Sequence, residues 1–98
     1  MAQPKLRLDK WLFQARFFKG RDLAAEMVEG GHCRINGQRC LKPGHGVAAG
    51  DVLTFVQADR IRVVRVVALG VRRGPATEAQ ALYADLDDPG PVLNDPAR

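Results

Sequence analysis

Serine is missing from this chain altogether. There is also no GxxxxGK[ST] loop to cradle phosphates and no carboxylate pair in a catalytic setting, so no catalytic residue and no cofactor is assigned, and an enzyme is not expected. Cysteine is scarce: Cys33 and Cys40 are the only two, which suggests reduced thiols before a disulfide framework. A zinc site would need His32, Cys33, Cys40 and His45 to converge. Neighbouring strand residues such as His32 and Cys33 point to opposite faces, and the CxxC pairs of a zinc knuckle are absent, so no metal is expected. No apolar run approaches the roughly 18 residues of a membrane span, and MAQPKLRLDK lacks the apolar segment of a signal peptide. A cytoplasmic protein with no membrane partner is the expectation.

What remains is enough for one small folded domain. The chain has 98 residues, 46% hydrophobic and 27% charged, so it can bury a modest core and is not disordered throughout. Its charge is unevenly placed. Residues 1–73 carry 14 Lys/Arg against 6 Asp/Glu, a balance of +8, whereas residues 74–98 carry 1 against 5, a balance of −4. A basic body with an acidic tail attracts polyanions, although charge alone does not separate RNA from DNA, acidic proteins or anionic lipid.

The most informative stretch runs from Arg7 to Gly37. At 100° per residue Leu8, Trp11, Leu12, Ala15 and Phe18 gather on one face, which predicts a helix from about Leu8 to Phe18. Arg7, Lys10 and Gln14 lie opposite, with Phe13 and Phe17 beside them. Those two rings either stack on unpaired bases or are core residues of a helix covered on two sides. Lys19 and Gly20 interrupt the pattern. Leu23, Ala24, Met27 and Val28 predict a second helix that starts near Gly20 and Arg21, where free N–H groups and cations could accept phosphate, and ends at Gly30 and Gly31.

Asn36-Gly37 then predicts a two-residue hairpin turn, with Ile35 facing Gln38, Arg34 facing Arg39 and Cys33 facing Cys40. Two arginines directly opposed are destabilising unless an anion lies across them or both splay into water. The Cys33/Cys40 pair is of the hydrogen-bonded kind, whose Cα spacing of about 5.5 Å permits a disulfide but whose Cβ atoms diverge. Both thiols are therefore read as small core residues.

Lys42 to Gly46 reads as irregular, Ala49-Gly50-Asp51 as a turn, and Val52 to Val56 as a strand. From Arg60 to Leu69 a longer strand follows. Arg60 and Arg62 alternate with Ile61 and Val63, after which Val64, Val66 and Val67 break the period, as a bulge or burial on both faces would explain. Gly74-Pro75-Ala76 opens a last helical pattern with Ala79, Leu82, Tyr83 and Leu86 on one face and a possible Thr77/Gln80 capping box. Residues 87–98 are acidic, Pro-containing and expected to be mobile. Asp9, between Arg7 and Lys10, reads as an ion pair or a helix N-terminal charge more than as a general base.

These residues carry a resemblance. RLDKWL at Arg7 to Leu12, then Arg16, Lys19-Gly20-Arg21, Leu23-Ala24, Val28-Glu29-Gly30-Gly31, Arg34-Ile35-Asn36-Gly37 and Gly50-Asp51-Val52 resemble the S-four RNA-binding domain, named after ribosomal small-subunit protein four. The continuation through Arg72-Arg73-Gly74-Pro75-Ala76 and Glu78 to Tyr83 is similar to the stand-alone 15-kilodalton heat-shock protein group. The resemblance implies an α+β fold, with two short N-terminal helices on a small, mainly antiparallel sheet (the αL RNA-binding motif) and a short C-terminal helix. It implies an RNA-binding domain over 5–69, an extension over 70–86 and the tail over 87–98.

It further implies RNA contacts at Arg7, Lys10, Arg16, Lys19, Arg21, Arg34, Arg39 and Lys42, and as partners structured RNA, ribosomal RNA and the large ribosomal subunit in recycling or rescue of stalled translation. A monomer when free is expected. Two departures stand out. Gly20 replaces the usual Ser or Thr, and an acidic, Pro-rich end stands where the heat-shock group has a longer basic extension, which bears on ribosome rescue more than on RNA binding. An accessory targeting module beside a separate RNA-modifying enzyme, or a protein-interaction module, are the alternative functions.

Overall fold

In the computed structural model, which describes residues 3–86, the first amphipathic pattern becomes α1 (Leu8–Gln14) after a two-residue strand β1 (Leu6–Arg7). Leu8, Trp11 and Leu12 are completely buried. The helix stops before the expected Phe18 because Arg16 takes φ 67°, a left-handed backbone that cannot continue the i→i−4 ladder. Gln14, placed on the open face by its spacing, is buried, and its Nε2 donates to the Leu69 carbonyl at 3.0 Å. Phe17 is core, its ring centroid 5.0 Å from Phe55 and 4.6 Å from Tyr83. Phe13 is half-buried beneath the Arg73 guanidinium, 4.9 Å above its ring.

The second helix, α2 (Arg21–Glu29), starts after an extended Gly20 and ends at Gly30, with Gly31 at φ 85° supplying the left-handed exit that a side chain would resist. Ala24, Met27 and Val28 face the core, but Leu23, at one edge of the same stripe, is exposed.

The hairpin is built as its turn demands. Asn36 (φ 52°) and Gly37 (φ 85°) join β2 (Cys33–Ile35) to β3 (Gln38–Arg39), with Arg34 opposite Arg39 and Ile35 opposite Gln38. The Cys40 N–H donates to the Cys33 carbonyl at 2.9 Å, and both thiols are buried and free. Burial, with a smaller contribution from Cys40, pushes the Cys33 thiol up to about 12, which leaves almost no thiolate at neutral pH. Each Sγ reaches only a backbone carbonyl, at 3.9 Å for Cys33 and 3.4 Å for Cys40. Replacing both with Val is therefore expected to move stability by less than about 1.5 kcal/mol and to leave RNA affinity unchanged. Melting curves with and without reductant, and filter binding, check both halves.

Gly46 is not irregular after all. With Val47 it forms β4 (Gly46–Val47), which pairs with β1 as a separate two-stranded ladder, Leu6 opposite Val47 and Arg7 opposite Gly46. The main sheet follows, with β5 (Val52–Gln57), β6 (Arg60–Val66) and β7 (Tyr83–Asp85) completing an all-antiparallel order β3-β2-β5-β6-β7. Pairing of β5 with β6 runs unbroken from Val52↔Arg65 to Gln57↔Arg60, so no bulge interrupts that ladder. Past its end the Val67 and Ala68 N–H groups both donate to the Leu82 carbonyl, at 2.8 and 3.1 Å, two residues against one as in a bulge. The alternation continues, but with a parity that hydropathy does not suggest. Val64 and Val66 point inward, Ile61 is 66% exposed, and Arg62 lies 5.3 Å over the Phe17 ring while donating to Gln57 and Asp85.

At the C-terminal side α3 (Ala76–Gln80) is a single short helix capped by Pro75 without a side-chain bond, so the Thr77/Gln80 capping box does not form. Ala79 and Leu82 are buried as expected. Tyr83, however, leaves the helical face and begins β7, because the free edge of β6 offers unpaired backbone groups that Tyr83–Asp85 can satisfy. The acidic stretch 87–98 lies outside the described residues. The two helices and the inner face of the sheet share one core around Trp11, Phe17, Phe55 and Leu53.

Candidate nucleic-acid interface

Helix α1 begins without a side-chain cap, and its first N–H groups are satisfied from elsewhere. Leu8 donates to the His45 carbonyl at 2.8 Å and Asp9 to the Pro43 carbonyl at 3.0 Å. The segment Lys42 to His45 is thereby strapped across the start of α1, closed by a His45 N–H to Lys42 carbonyl bond of 3.0 Å. Arg7 follows the same strap. A Cβ placed on Gly44 would stand 3.4 Å from the Arg7 guanidinium, so that loop passes close against the side chain.

Below Arg7 sits Asp9, 4% exposed as a residue. Arg7 donates to it in parallel, Nε to Oδ1 and Nη2 to Oδ2, both at 3.1 Å, and Arg21 Nη2 stands 3.6 Å from Oδ1. Burial pushes the Asp9 carboxyl up, but the bonds and charge of Arg7, the charge of Arg21 and the Lys10 N–H together outweigh it and hold the group below the ordinary carboxylate value. The sequence reading of Asp9 as an ion-paired residue is met, and the structure adds that two cations share it.

From the strap the basic surface continues to the hairpin. Arg39, Leu41, Lys42 and His45 line an open groove of about 520 Å³ with Ile35, Asn36, Gln38 and Cys40. Arg34 stands beside Arg39 as its cross-strand partner. Among the described residues no carboxylate pairs with Lys10, Lys19, Arg34, Arg39 or Lys42. Arg21, Arg7, the 42–45 strap, Arg39 and Arg34 therefore form one continuous ledge. Lys10 is half-buried on α1, and Lys19 is exposed in the turn between the helices.

Arg16 goes elsewhere. Its Nε donates to the Gly74 carbonyl at 2.7 Å, and it shares a smaller cavity with Gln57, Arg62 and Tyr83. The start of α2 is also less open to an anion than its sequence suggests, since the Asp22 carboxylate lies 2.5 Å from where a Gly20 Cβ would stand. A negative side chain already complements that helix end. His45 and the strap itself were not legible in the chain order, because only the carbonyls that cap α1 bring them beside Arg7.

Comparison with known proteins follows the same outline. The S4 domain family matches residues 6–53. Heat shock protein 15 of Escherichia coli is 48% identical over 81 residues, covering 83% of this chain and 60% of that protein, so the chain spans about 60% of the length of that relative. The small ribosomal subunit protein uS4 of Acidithiobacillus ferrooxidans is 36% identical over 72 residues, 71% of this chain and 35% of the other. A solved trimeric structure of Vibrio cholerae heat shock protein 15 superposes with a TM-score of 0.79 at 42% identity, covering 86% of this chain and 84% of that one.

Proposed function

The chain belongs to the heat shock protein 15 family and carries an S4 domain, and from that premise we propose that it binds structured RNA, specifically ribosomal RNA on the large subunit during recycling or rescue of stalled translation. The observation that carries this reading is the run of cations from Arg21 and Arg7, which share the single Asp9 carboxylate, to Lys42, Arg39 and Arg34, unpaired among the described residues, all carried on backbone that hydrogen bonds hold in place rather than on a tail. Fixed cations match a fixed arrangement of phosphates, which is how folded RNA differs from a random polyanion. The likeness to a small ribosomal subunit protein supports a ribosomal target.

Arg7, Lys10, Lys19, Arg21, Arg34, Arg39 and Lys42 are assigned to phosphate contacts. Arg16 can add an outer contact with its terminal nitrogens only, because Gly74 holds Nε. The free protein is read as a monomer, and a sedimentation run that returned a trimer would align it instead with the Vibrio cholerae relative.

Recognition of this kind is electrostatic and shape-directed. With about four to six phosphates engaged, log affinity against log salt concentration is expected to slope on the order of −3 to −5. Titration against purified large subunits, small subunits and duplex DNA at several salt concentrations measures that slope and ranks the targets. A slope near zero would rule out phosphate contact, and a preference for duplex DNA would rule out the RNA reading.

A further inference from the structure

Asp9 is the one strongly buried acid of the described chain, and it stands in the middle of a basic surface. Its side chain is 6% exposed, whereas the Arg7 and Arg21 side chains that meet it are 55% and 45% exposed. Burying a carboxylate is costly unless it is fully paired, and holding two long guanidinium side chains in place costs their rotamer freedom. Here both costs converge on one residue. Arg7 approaches through Nε and Nη2 at 3.1 Å, Arg21 through Nη2 at 3.6 Å, and the Asp9 N–H ties in the strap at the Pro43 carbonyl. The Asp9 carboxylate thus joins the residue before α1 to the first residue of α2, while its backbone N–H holds the 42–45 loop.

We propose that Asp9 is a positioning residue for RNA, holding the Arg7 and Arg21 guanidinium groups at a fixed separation so that both engage phosphates of one RNA strand. The inference rests on the RNA-binding reading above. Arg7 still has Nη1 to offer after bonding Asp9 through its other two nitrogens, and Arg21 keeps most of its fork. Two cations and one anion leave a net positive node. Because the side chains are already ordered in the free protein, less freedom is lost when phosphate arrives.

The sign of one mutation separates this role from plain electrostatics. Asp9→Asn deletes a negative charge from a basic face, so long-range attraction alone would tighten binding to RNA. Positioning requires the reverse. Affinity for a structured fragment of large-subunit ribosomal RNA should weaken by about 5- to 20-fold, and the salt slope should become less steep by about one, since one phosphate contact is no longer held. A residue that merely supports the fold would lower the melting midpoint and leave the slope where it is.

A second variant, Arg7→Gln/Arg21→Gln, should flatten the slope by about two. Adding Asp9→Asn to it should weaken affinity no further, because the carboxylate positions RNA only through those two side chains. Asp9→Asn binding as tightly as wild type, or weakening with an unchanged slope, overturns the inference. So does an Arg7→Gln/Arg21→Gln variant with the wild-type slope, and that outcome is readable even if Asp9→Asn does not fold. Wild type lacking salt-dependent RNA binding would instead remove the RNA reading itself.

Discussion

Reversing Arg39 and Lys42 together, as Arg39→Glu/Lys42→Glu, is expected to lower affinity for ribosomal RNA by about 10- to 100-fold, at roughly 1 kcal/mol or more per phosphate contact reversed. The melting midpoint should barely move. Both side chains are exposed on the groove beyond the hairpin, and neither pairs with a carboxylate among the described residues, so the cost to stability should stay within about 0.5 kcal/mol. Loss of Arg39 even relieves its repulsion with Arg34 across the strand pair. Arg21 suits this test less well, since a glutamate there would face the buried Asp9 carboxylate.

The opposite pattern is expected of Arg72→Glu/Arg73→Glu. Arg73 covers Phe13 and donates to its carbonyl at 3.1 Å, while Arg72 pairs with Glu78 at 2.9 Å, so that variant should lose stability more than RNA affinity. Binding titrations and melts of both double variants, side by side, decide the matter. If Arg39→Glu/Lys42→Glu binds normally, the ledge is not the RNA surface.

Trp11→Ala is expected to be the most damaging single substitution to the fold. Trp11 is the largest of the fully buried side chains, it packs 6.1 Å from Phe17, and its Nε1 donates to the Ala68 carbonyl at 2.9 Å, which ties α1 to the end of the sheet. Truncating such a residue costs about 3–5 kcal/mol. A domain of this size has only about 5–15 kcal/mol in total, and each kcal/mol shifts its melting midpoint by about 4–8 °C. The midpoint should therefore fall by tens of degrees, as read by circular dichroism. Trp11→Phe keeps most of the ring and loses the hydrogen bond, so it should cost about 1–2 kcal/mol. An alanine variant melting within a few degrees of wild type would mean that α1 is held by its neighbours and not by this anchor.

Much of the basic surface could be read from the chain because its parts are local. Asn36-Gly37 sets a two-residue turn, since both residues must accept positive φ, and that turn alone puts Arg34 opposite Arg39. Gly31 likewise ends α2 where a left-handed residue was required. The resemblance of Arg7 to Leu12 and of Lys19 to Arg21 to the S-four domain placed cations on both helices before any of them had a neighbour.

Other features had no local signature. Ile61 is the more apolar residue and Arg62 the charged one, yet β6 turns Arg62 inward, because the two-residue turn at Ala58 and Asp59 and the six-pair ladder with β5 set the parity for the whole strand. Tyr83 sits in a helical pattern, but an open sheet edge satisfies its backbone better than another helical turn would. Gln14 is buried because a carbonyl from the far side of the sequence waits for it.

Composition, turn chemistry and periodicity by themselves determined a small basic α+β domain, its hairpin register, its two N-terminal helices and the residues that carry positive charge. Only the tertiary structure decided which of those charges act together. Arg7, Arg21, the 42–45 strap and Arg39 become one surface through the shared Asp9 carboxylate and the carbonyls that cap α1, and Arg16 is drawn off to Gly74. The physical reason is range. A turn or a helical stripe is specified by neighbours a few residues apart, whereas a buried ion pair or a sheet edge is specified by groups that meet only after the chain has folded.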